Sequence, residues 1–171
     1  MKIESPAFTQ DDLEEFFDEQ LDRERLHLAR RLEEASARLA AIAPRITSGA
    51  GGDQWSNHEV LAHIAVLSKF YGVMVYRVAG GQMTEVDLLD ATKLRDVAGE
   101  QTAALPTADI IRSIATDHAR TVKLLRELDA AALRKTARLP TGEEVSAEFL
   151  VRYPLINHLE QHVEQLERAL G

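Results

Sequence analysis

Residues 56–81 read SNHEVLAHIAVLSKFYGVMVYRVAGG, and this stretch decides the fold. Its apolar side chains recur at spacings of three and four residues, which predicts a helix with one buried face. Ser56 and Glu59 match a capping box at the start, and Gly80 and Gly81 supply a stop at the end. The apolar stripe consists of Val60, Ile64, Leu67, Tyr71, Met74 and Val78.

A second helical pattern lies before this stretch. It opens at Thr9, where Asp12 completes a cap and where Phe8 and Leu13 are placed to form a hydrophobic staple. Pro44 ends it, because proline cannot donate the backbone hydrogen bond that an interior helical position requires. Its apolar stripe consists of Leu13, Phe17, Leu21, Leu28, Leu32, Ala35, Leu39 and Ile42.

Two further helical patterns follow the central stretch. One opens at Thr107, and the last begins near Ser146 with a kink or restart expected at Pro154. Residues 82–106 join distant bundle ends and contain a short helix at about 87–97, while residues 136–145 form a turn or small hairpin. The chain is therefore predicted to be all-α, a single domain over residues 1–171. Its architecture is a four-helix bundle with a long crossover between helices 2 and 3.

Composition narrows the function. The chain has no cysteine, which excludes disulfides, thiolate metal sites and a cysteine nucleophile. The formal charge of −8 and the lack of a basic cluster argue against nucleic acid as a partner. No signal-peptide run and no stretch of about 18 apolar residues is apparent, so we expect a cytoplasmic protein without a membrane partner. Phosphate-loop and serine-hydrolase motifs are absent from the sequence.

Histidine is the remaining residue type whose spacing is compatible with a metal site. His158 and His162 lie four residues apart on a predicted helix, about 40° around its axis and about 6 Å along it. His63 falls inside the inward sector of the second helix, so three imidazoles from two helices can converge in the bundle. Spacing alone leaves two interpretations open, a metal site or hydrogen-bonded core histidines.

Two other histidines bear on this choice. His118 lies between Ile114 and Val122, near the centre of its apolar stripe, and we expect a core residue paired to a neighbouring helix rather than a fourth ligand. His58 occupies the first turn of its helix and is predicted to face solvent.

Polar residues also interrupt the stripe of the first helix. Gln20, Glu24 and Arg31 stand close to positions where leucine or alanine would be expected. Buried charges are costly unless they are paired. Glu24 and Arg31 therefore line a wet pocket, or this face widens toward solvent at one end of the bundle.

Two motifs resemble those of the DinB-like family. The segment from Trp55 to His63 is similar to the family's second-helix motif, in which tryptophan precedes a helix that carries a metal-binding histidine. The segment 157–162 resembles the C-terminal H-x-x-x-H motif, and the order of one histidine, about 95 residues and a histidine pair is also similar.

The resemblance implies a fold and a site. The family fold is a four-helix bundle in which a histidine triad binds zinc, nickel or iron, and the corresponding ligands here are His63, His158 and His162. Relatives include thiol-dependent S-transferases and a maleylpyruvate isomerase that uses a small thiol, and they are commonly dimeric. The resemblance therefore implies one divalent metal ion, a low-molecular-weight thiol as a further cofactor, and a homodimer.

The leading functional hypothesis is a metal-dependent enzyme that acts on a small electrophile. Three protein ligands leave a coordination position open, which is typical of catalytic zinc sites. S-transfer or isomerisation with a thiol, or hydrolase-type chemistry with water, would follow; no separate catalytic base can be named. One alternative is a non-catalytic, metal-containing stress-response or small-molecule-binding bundle. Another is a helical interaction module that binds no metal.

Overall fold

A computed structural model describes residues 7–47, 54–87 and 97–171 of the chain. Three long helices come first: α1 (Gln10–Ile42), α2 (Asn57–Ala79) and α3 (Thr107–Glu127). The fourth helical run consists of α4 (Ala147–Leu150), a π-helical turn (Val151–Asn157) and α5 (His158–Leu170). Shorter elements are 3-10 turns at Ala43–Arg45 and Ala130–Arg134, a helical stretch at 97–103, and strands β1 (Thr136–Arg138) and β2 (Glu144–Ser146).

The predicted capping boxes are confirmed. At the start of α1, the Thr9 amide donates to Asp12 Oδ2 at 2.7 Å and the Asp12 amide donates back to Thr9 Oγ1 at 3.1 Å. At the start of α2, the Ser56 amide donates to Glu59 Oε2 at 2.7 Å. Each box satisfies backbone donors that a helix start leaves open, which fixes where these helices begin.

Contacts between the helices define a four-helix bundle with a crossover. His58 at the start of α2 contacts Thr107 at the start of α3, so these two helices run parallel. Arg31 of α1 pairs with Glu160 of α5, and Arg38 pairs with Glu167, so α1 and α5 are parallel as well. Because α2 and α3 run in the same direction, the end of α2 and the start of α3 lie at opposite ends of the bundle, as the predicted crossover requires. The helix expected at 87–97 lies mostly outside the described residues, and the helical stretch observed is 97–103.

The core begins later along α1 than the sequence predicts. Leu28 is the first fully buried residue of α1, whereas Leu13 and Phe17 are 41% and 48% exposed. Arg25 already bonds the carbonyl oxygens of Leu125 and Arg126 at the end of α3, so the earlier turns of α1 extend past that helix. The expectation that Leu13 and Phe17 lie in the core is therefore wrong.

The last helical run differs from a simple kink. Ser146 caps it, as predicted, and β1 pairs with β2 to form the predicted hairpin. Pro154 lies inside the π-helical turn, where the chain stays helical although proline contributes no amide. The His158 amide donates to the carbonyl oxygen of Tyr153, five residues earlier, which is the bonding pattern of a π-helix.

Interhelical ion pairs account for the charges on the inner side of α1. Glu24, Arg31 and Arg38 pair with Arg152, Glu160 and Glu167 respectively. The spacing is seven and seven residues along α1 but eight and seven along the last helical run. The π-helical turn supplies the extra residue that brings both rows into line. Glu24 and Arg31 thus form ion pairs between helices, an arrangement that neither sequence interpretation anticipated.

Helix α2 is long and apolar enough, by length and composition, to cross a membrane. In the bundle, however, 56% of its most apolar window is buried by other parts of the chain. Burial against neighbouring helices explains most of this apolar character.

Candidate metal centre

The three histidines singled out from the sequence meet at one place. His63 comes from the second turn of α2, and His158 and His162 come from the first turns of α5. The ring centroid of His63 lies 5.4 Å from that of His158 and 5.0 Å from that of His162. One ring nitrogen of each residue lies within 4.8 Å of the others. The predicted convergence of the imidazoles is therefore present.

The hydrogen bonds of His162 fix which nitrogen faces this point. Its Nδ1 lies 2.9 Å from Gln165 Oε1, an amide oxygen that can only accept, so Nδ1 carries the proton of the neutral ring. The Nε2 lone pair of His162 is then directed at His158 Nε2, also at 2.9 Å. A metal ion about 2.0–2.1 Å from both nitrogens would place them about 2.9–3.4 Å apart. This nitrogen pair therefore fits a shared metal ion.

An aromatic side chain covers His63. The Trp55 ring packs against the His63 ring with 4.9 Å between centroids and 57° between planes, and Trp55 itself is 60% exposed. The position of Trp55 directly before the cap of α2 predicts a staple onto Val60, and this pattern does not indicate the contact with His63. Trp55 therefore forms part of the wall of the site beside the His63 ring.

Arg31 on α1 forms a polar cluster with Asn157 and Glu160 at the start of α5, which we call the Arg31 cluster. Arg31 Nε donates to Glu160 Oε1 at 2.9 Å, and Arg31 Nη2 donates to Asn157 Oδ1 at 2.7 Å. Asn157 and Glu160 lie on either side of His158 in the sequence. The guanidinium fork therefore restrains the backbone from which His158 projects, as supporting residues of metal ligands commonly do.

His118 lies elsewhere and is a core residue, as predicted. Its Nε2 lies 2.8 Å from Ser68 Oγ on α2 and its Nδ1 lies 3.0 Å from Ser36 Oγ on α1. Burial lowers the pKa of His118 from 6.5 to about 4, so the imidazole is neutral at physiological pH.

The prediction for His58 is wrong. His58 is buried, with Nδ1 3.0 Å from Thr107 Oγ1 and Nε2 2.9 Å from the Ala103 carbonyl oxygen. The crossover covers the first turn of α2, which the periodicity of α2 cannot indicate. Glu59 serves the capping box, the role expected of it.

Fold and site together define a class: helical bundles in which three histidines from two helices converge at one point. The sequence profile of the DinB superfamily matches residues 9–166, and the chain belongs to this superfamily. No curated protein matches the chain by sequence.

Two solved structures share the fold. The mycothiol-dependent maleylpyruvate isomerase is 17% identical with a TM-score of 0.59, and a histidine-to-alanine variant of that enzyme is 16% identical with a TM-score of 0.60. Each likeness covers 87% of this chain, and the chain spans 59% of the length of that enzyme.

Proposed function

We propose that the protein is a metal-dependent enzyme that binds one divalent ion through His63, His158 and His162 and acts on a small electrophilic substrate. The observation that carries this proposal is the convergence of three ring nitrogens within 4.8 Å. Zinc, nickel and iron are the candidate ions, because imidazole suits all three and the chain offers no thiolate.

When bound by three imidazoles, such an ion keeps a coordination position open and lowers the pKa of a thiol or water there. The chain's own groups prepare this site. Gln165 holds the proton of His162 on Nδ1, which leaves Nε2 free to ligate. The Arg31 cluster fixes the backbone around His158, and Trp55 shields one side of His63.

A low-molecular-weight thiol is the proposed cosubstrate. The two solved structures that share the fold are described as mycothiol-dependent, which supports S-transfer or isomerisation with a small thiol as the reaction here. Water in place of the thiol would give hydrolase-type chemistry at the same site. The fold alone does not choose the substrate.

We further propose a cytoplasmic protein that acts without nucleic acid or membrane partners, as a homodimer. Support for the dimer comes from the start of α1, where Phe8, Leu13, Phe16 and Phe17 are all between 41% and 62% exposed. Sedimentation equilibrium tests this state: Phe17→Asp is expected to raise the dimer dissociation constant at least about tenfold. A wild-type monomer at all concentrations would contradict the dimer.

Elemental analysis of untagged protein tests the metal site. We expect close to one metal ion per chain in the wild type and a loss of at least about tenfold in affinity in His63→Ala and His162→Ala. His27→Ala is the matched control, because His27 is exposed and lies on α1, outside the triad. A wild type that takes up no metal even after reconstitution would remove the proposal.

Turnover separates an enzyme from a non-catalytic binder. Wild-type protein is assayed with panels of small thiols and electrophiles, beside His162→Ala protein whose helicity is unchanged by circular dichroism. The enzyme proposal expects turnover that the variant loses. Metal binding without turnover across the panels would favour the binding-protein alternative, and activity that survives in His162→Ala would exclude the triad from catalysis.

A further inference from the structure

The outer face of α2 forms one side of an apolar groove away from the histidine triad. The groove has a volume of about 630 Å³ and is closed on the other side by residues 98–105 and the start of α3. Its described apolar lining includes Val66, Phe70, Val73, Met74, Met83 and Leu105. The volume lies within the usual range of small-molecule sites. The side formed by α2, which we call the groove floor, is about 18 Å long from Ala65 to Arg77.

The charges along this groove have a single sign. Lys69 and Arg77 line it, and no aspartate or glutamate does so among its described residues. The two cations are exposed and form no hydrogen bond or ion pair with any residue in the described ranges. Other exposed arginines such as Arg120 and Arg126, by contrast, are paired with carboxylates. In a chain of net charge −8, this is a local reversal of charge.

We infer that this groove is a binding site for an elongated amphipathic carboxylate, a single-chain aliphatic acid. The hydrocarbon chain lies along Phe70, Val73 and Met74, where it removes exposed apolar surface from water. The carboxylate is paired with Lys69 or Arg77, which stand about 12 Å apart along α2 and mark two positions along the floor. Gln101 and Ser113 also line the groove and add side chains that can form hydrogen bonds.

This inference does not depend on the proposed enzymatic function. None of His63, His158 and His162 lines the groove. Loss of metal by the triad therefore leaves the carboxylate site intact, and failure of the carboxylate site leaves the metal site intact.

Calorimetric titration of the full-length protein tests the inference with three probes that share one hydrocarbon chain. Octanoate, octanol and octylamine differ only in the charge of the head group. We expect saturable binding of octanoate, at least about fivefold tighter than binding of octanol, and the weakest binding for octylamine. Triple substitution of the triad to alanine should leave these values within about twofold.

Variants locate the site. Val73→Glu places a carboxylate in the middle of the groove floor and is expected to weaken octanoate binding at least tenfold. Tyr76→Glu is the matched control, because this substitution adds the same charge to the same helix. Tyr76 is exposed and does not line the groove. The double variant Lys69→Gln/Arg77→Gln should weaken octanoate binding about fivefold, because either cation alone can pair with the carboxylate, whereas Arg30→Gln on α1 should not change it.

Three outcomes would overturn the inference. Equal affinity for octanol and octanoate would mean that the cations do not recognise the head group. Equal octanoate binding by the Val73→Glu and Tyr76→Glu proteins would place any site elsewhere. A dimer that Val73→Glu dissociates, together with no saturable octanoate binding, would assign this face to a second copy of the chain.

Discussion

The imidazole of His118 lies between the hydroxyl groups of Ser36 and Ser68, so a side chain of α3 joins α1 and α2. Burial lowers its pKa to about 4, while the unfolded chain is expected to protonate histidine near pH 6.5. Between about pH 4 and pH 6.5 the unfolded state binds a proton at His118 and the folded state does not. The contribution of His118 to stability is therefore present above pH 6.5 and is lost as the pH falls toward 4.

Replacing His118 should flatten the acid side of the stability profile. From pH 7 to pH 4.5 we expect the wild type to lose about 2–3 kcal/mol of unfolding free energy more than His118→Gln, because glutamine does not titrate. Urea unfolding at both pH values measures this difference. His27→Gln removes an exposed histidine instead and should keep the wild-type slope, whereas equal slopes in all three proteins would contradict the lowered pKa.

At the scale of elements, Gly72 sets the distance between α2 and α3. A Cβ atom at this position would lie 2.8 Å from Thr121 Oγ1, closer than real contacts allow. Thr121 is held in place because its hydroxyl donates to the Asp117 carbonyl oxygen at 3.0 Å. The two helices can therefore approach this closely only where α2 has no side chain.

Gly72→Ala should destabilise the bundle by about 1–2 kcal/mol, because overpacking outweighs the gain in helix propensity. Removing the threonine hydroxyl in the double variant with Thr121→Ala should recover most of this loss. Gly99→Ala serves as control, since nothing lies within 4 Å of its added Cβ and the change should be neutral or stabilising. Thermal and urea unfolding measure all three, and a harmless Gly72→Ala would disprove the close contact.

The ion pairs between α1 and the last helical run are not equivalent. The Arg31 and Glu160 side chains are 21% and 27% exposed, and Arg31 also bonds Asn157, whereas Arg38 and Glu167 are 41% and 35% exposed. Arg31→Ala should therefore cost about 1–2 kcal/mol of stability, and Arg38→Ala less than about 1 kcal/mol.

Only the change at Arg31 should also weaken metal binding, because Asn157 and Glu160 flank His158. Urea unfolding gives the two stabilities, and competition with a chelating dye gives the two metal affinities. Equal effects of Arg31→Ala and Arg38→Ala on metal affinity would show that the cluster around Arg31 does not position His158.

At the scale of the whole molecule, a metal ion held by the triad would link α2 to α5. Free metal at about one hundred times its dissociation constant should add about 2.7 kcal/mol to the stability. For a chain of this size, that corresponds to a rise of about 5–10 °C in Tm. Differential scanning calorimetry with metal and with chelator measures the shift. His63→Ala should abolish it, and an unchanged wild-type Tm would count against metal binding by the folded state.

The parts of this architecture that depend on local sequence could be predicted. Capping boxes at Thr9 and Ser56 and the stop at Gly80 depend on neighbouring residues, so the ends of α1 and α2 follow from the sequence. The helical repeat likewise places His63 in the inward sector of α2, and it places His158 and His162 on one side of their helix. Their proximity required the fold, and the resemblance to the DinB-like family supplied it.

The parts that depend on distant segments could not be predicted. His58 is covered by residues about 45 positions later, and Leu13 and Phe17 are exposed because α1 is longer than the helices it packs against. The pairing of Arg31 with Glu160 joins residues 129 positions apart. Periodicity within one helix contains no information about the length or register of another.

The extra residue in Val151–Asn157 restricts how the length of this protein can vary. Deleting one residue there would turn α4 by about 100° relative to α5. Either the contact of Arg152 with Glu24 or the orientation of the two α5 histidines would then be lost. An insertion or deletion at this turn would therefore disturb the histidine site. The hairpin loop at 139–143 precedes the helical run, so its length can change without altering the rotation of α4 relative to α5.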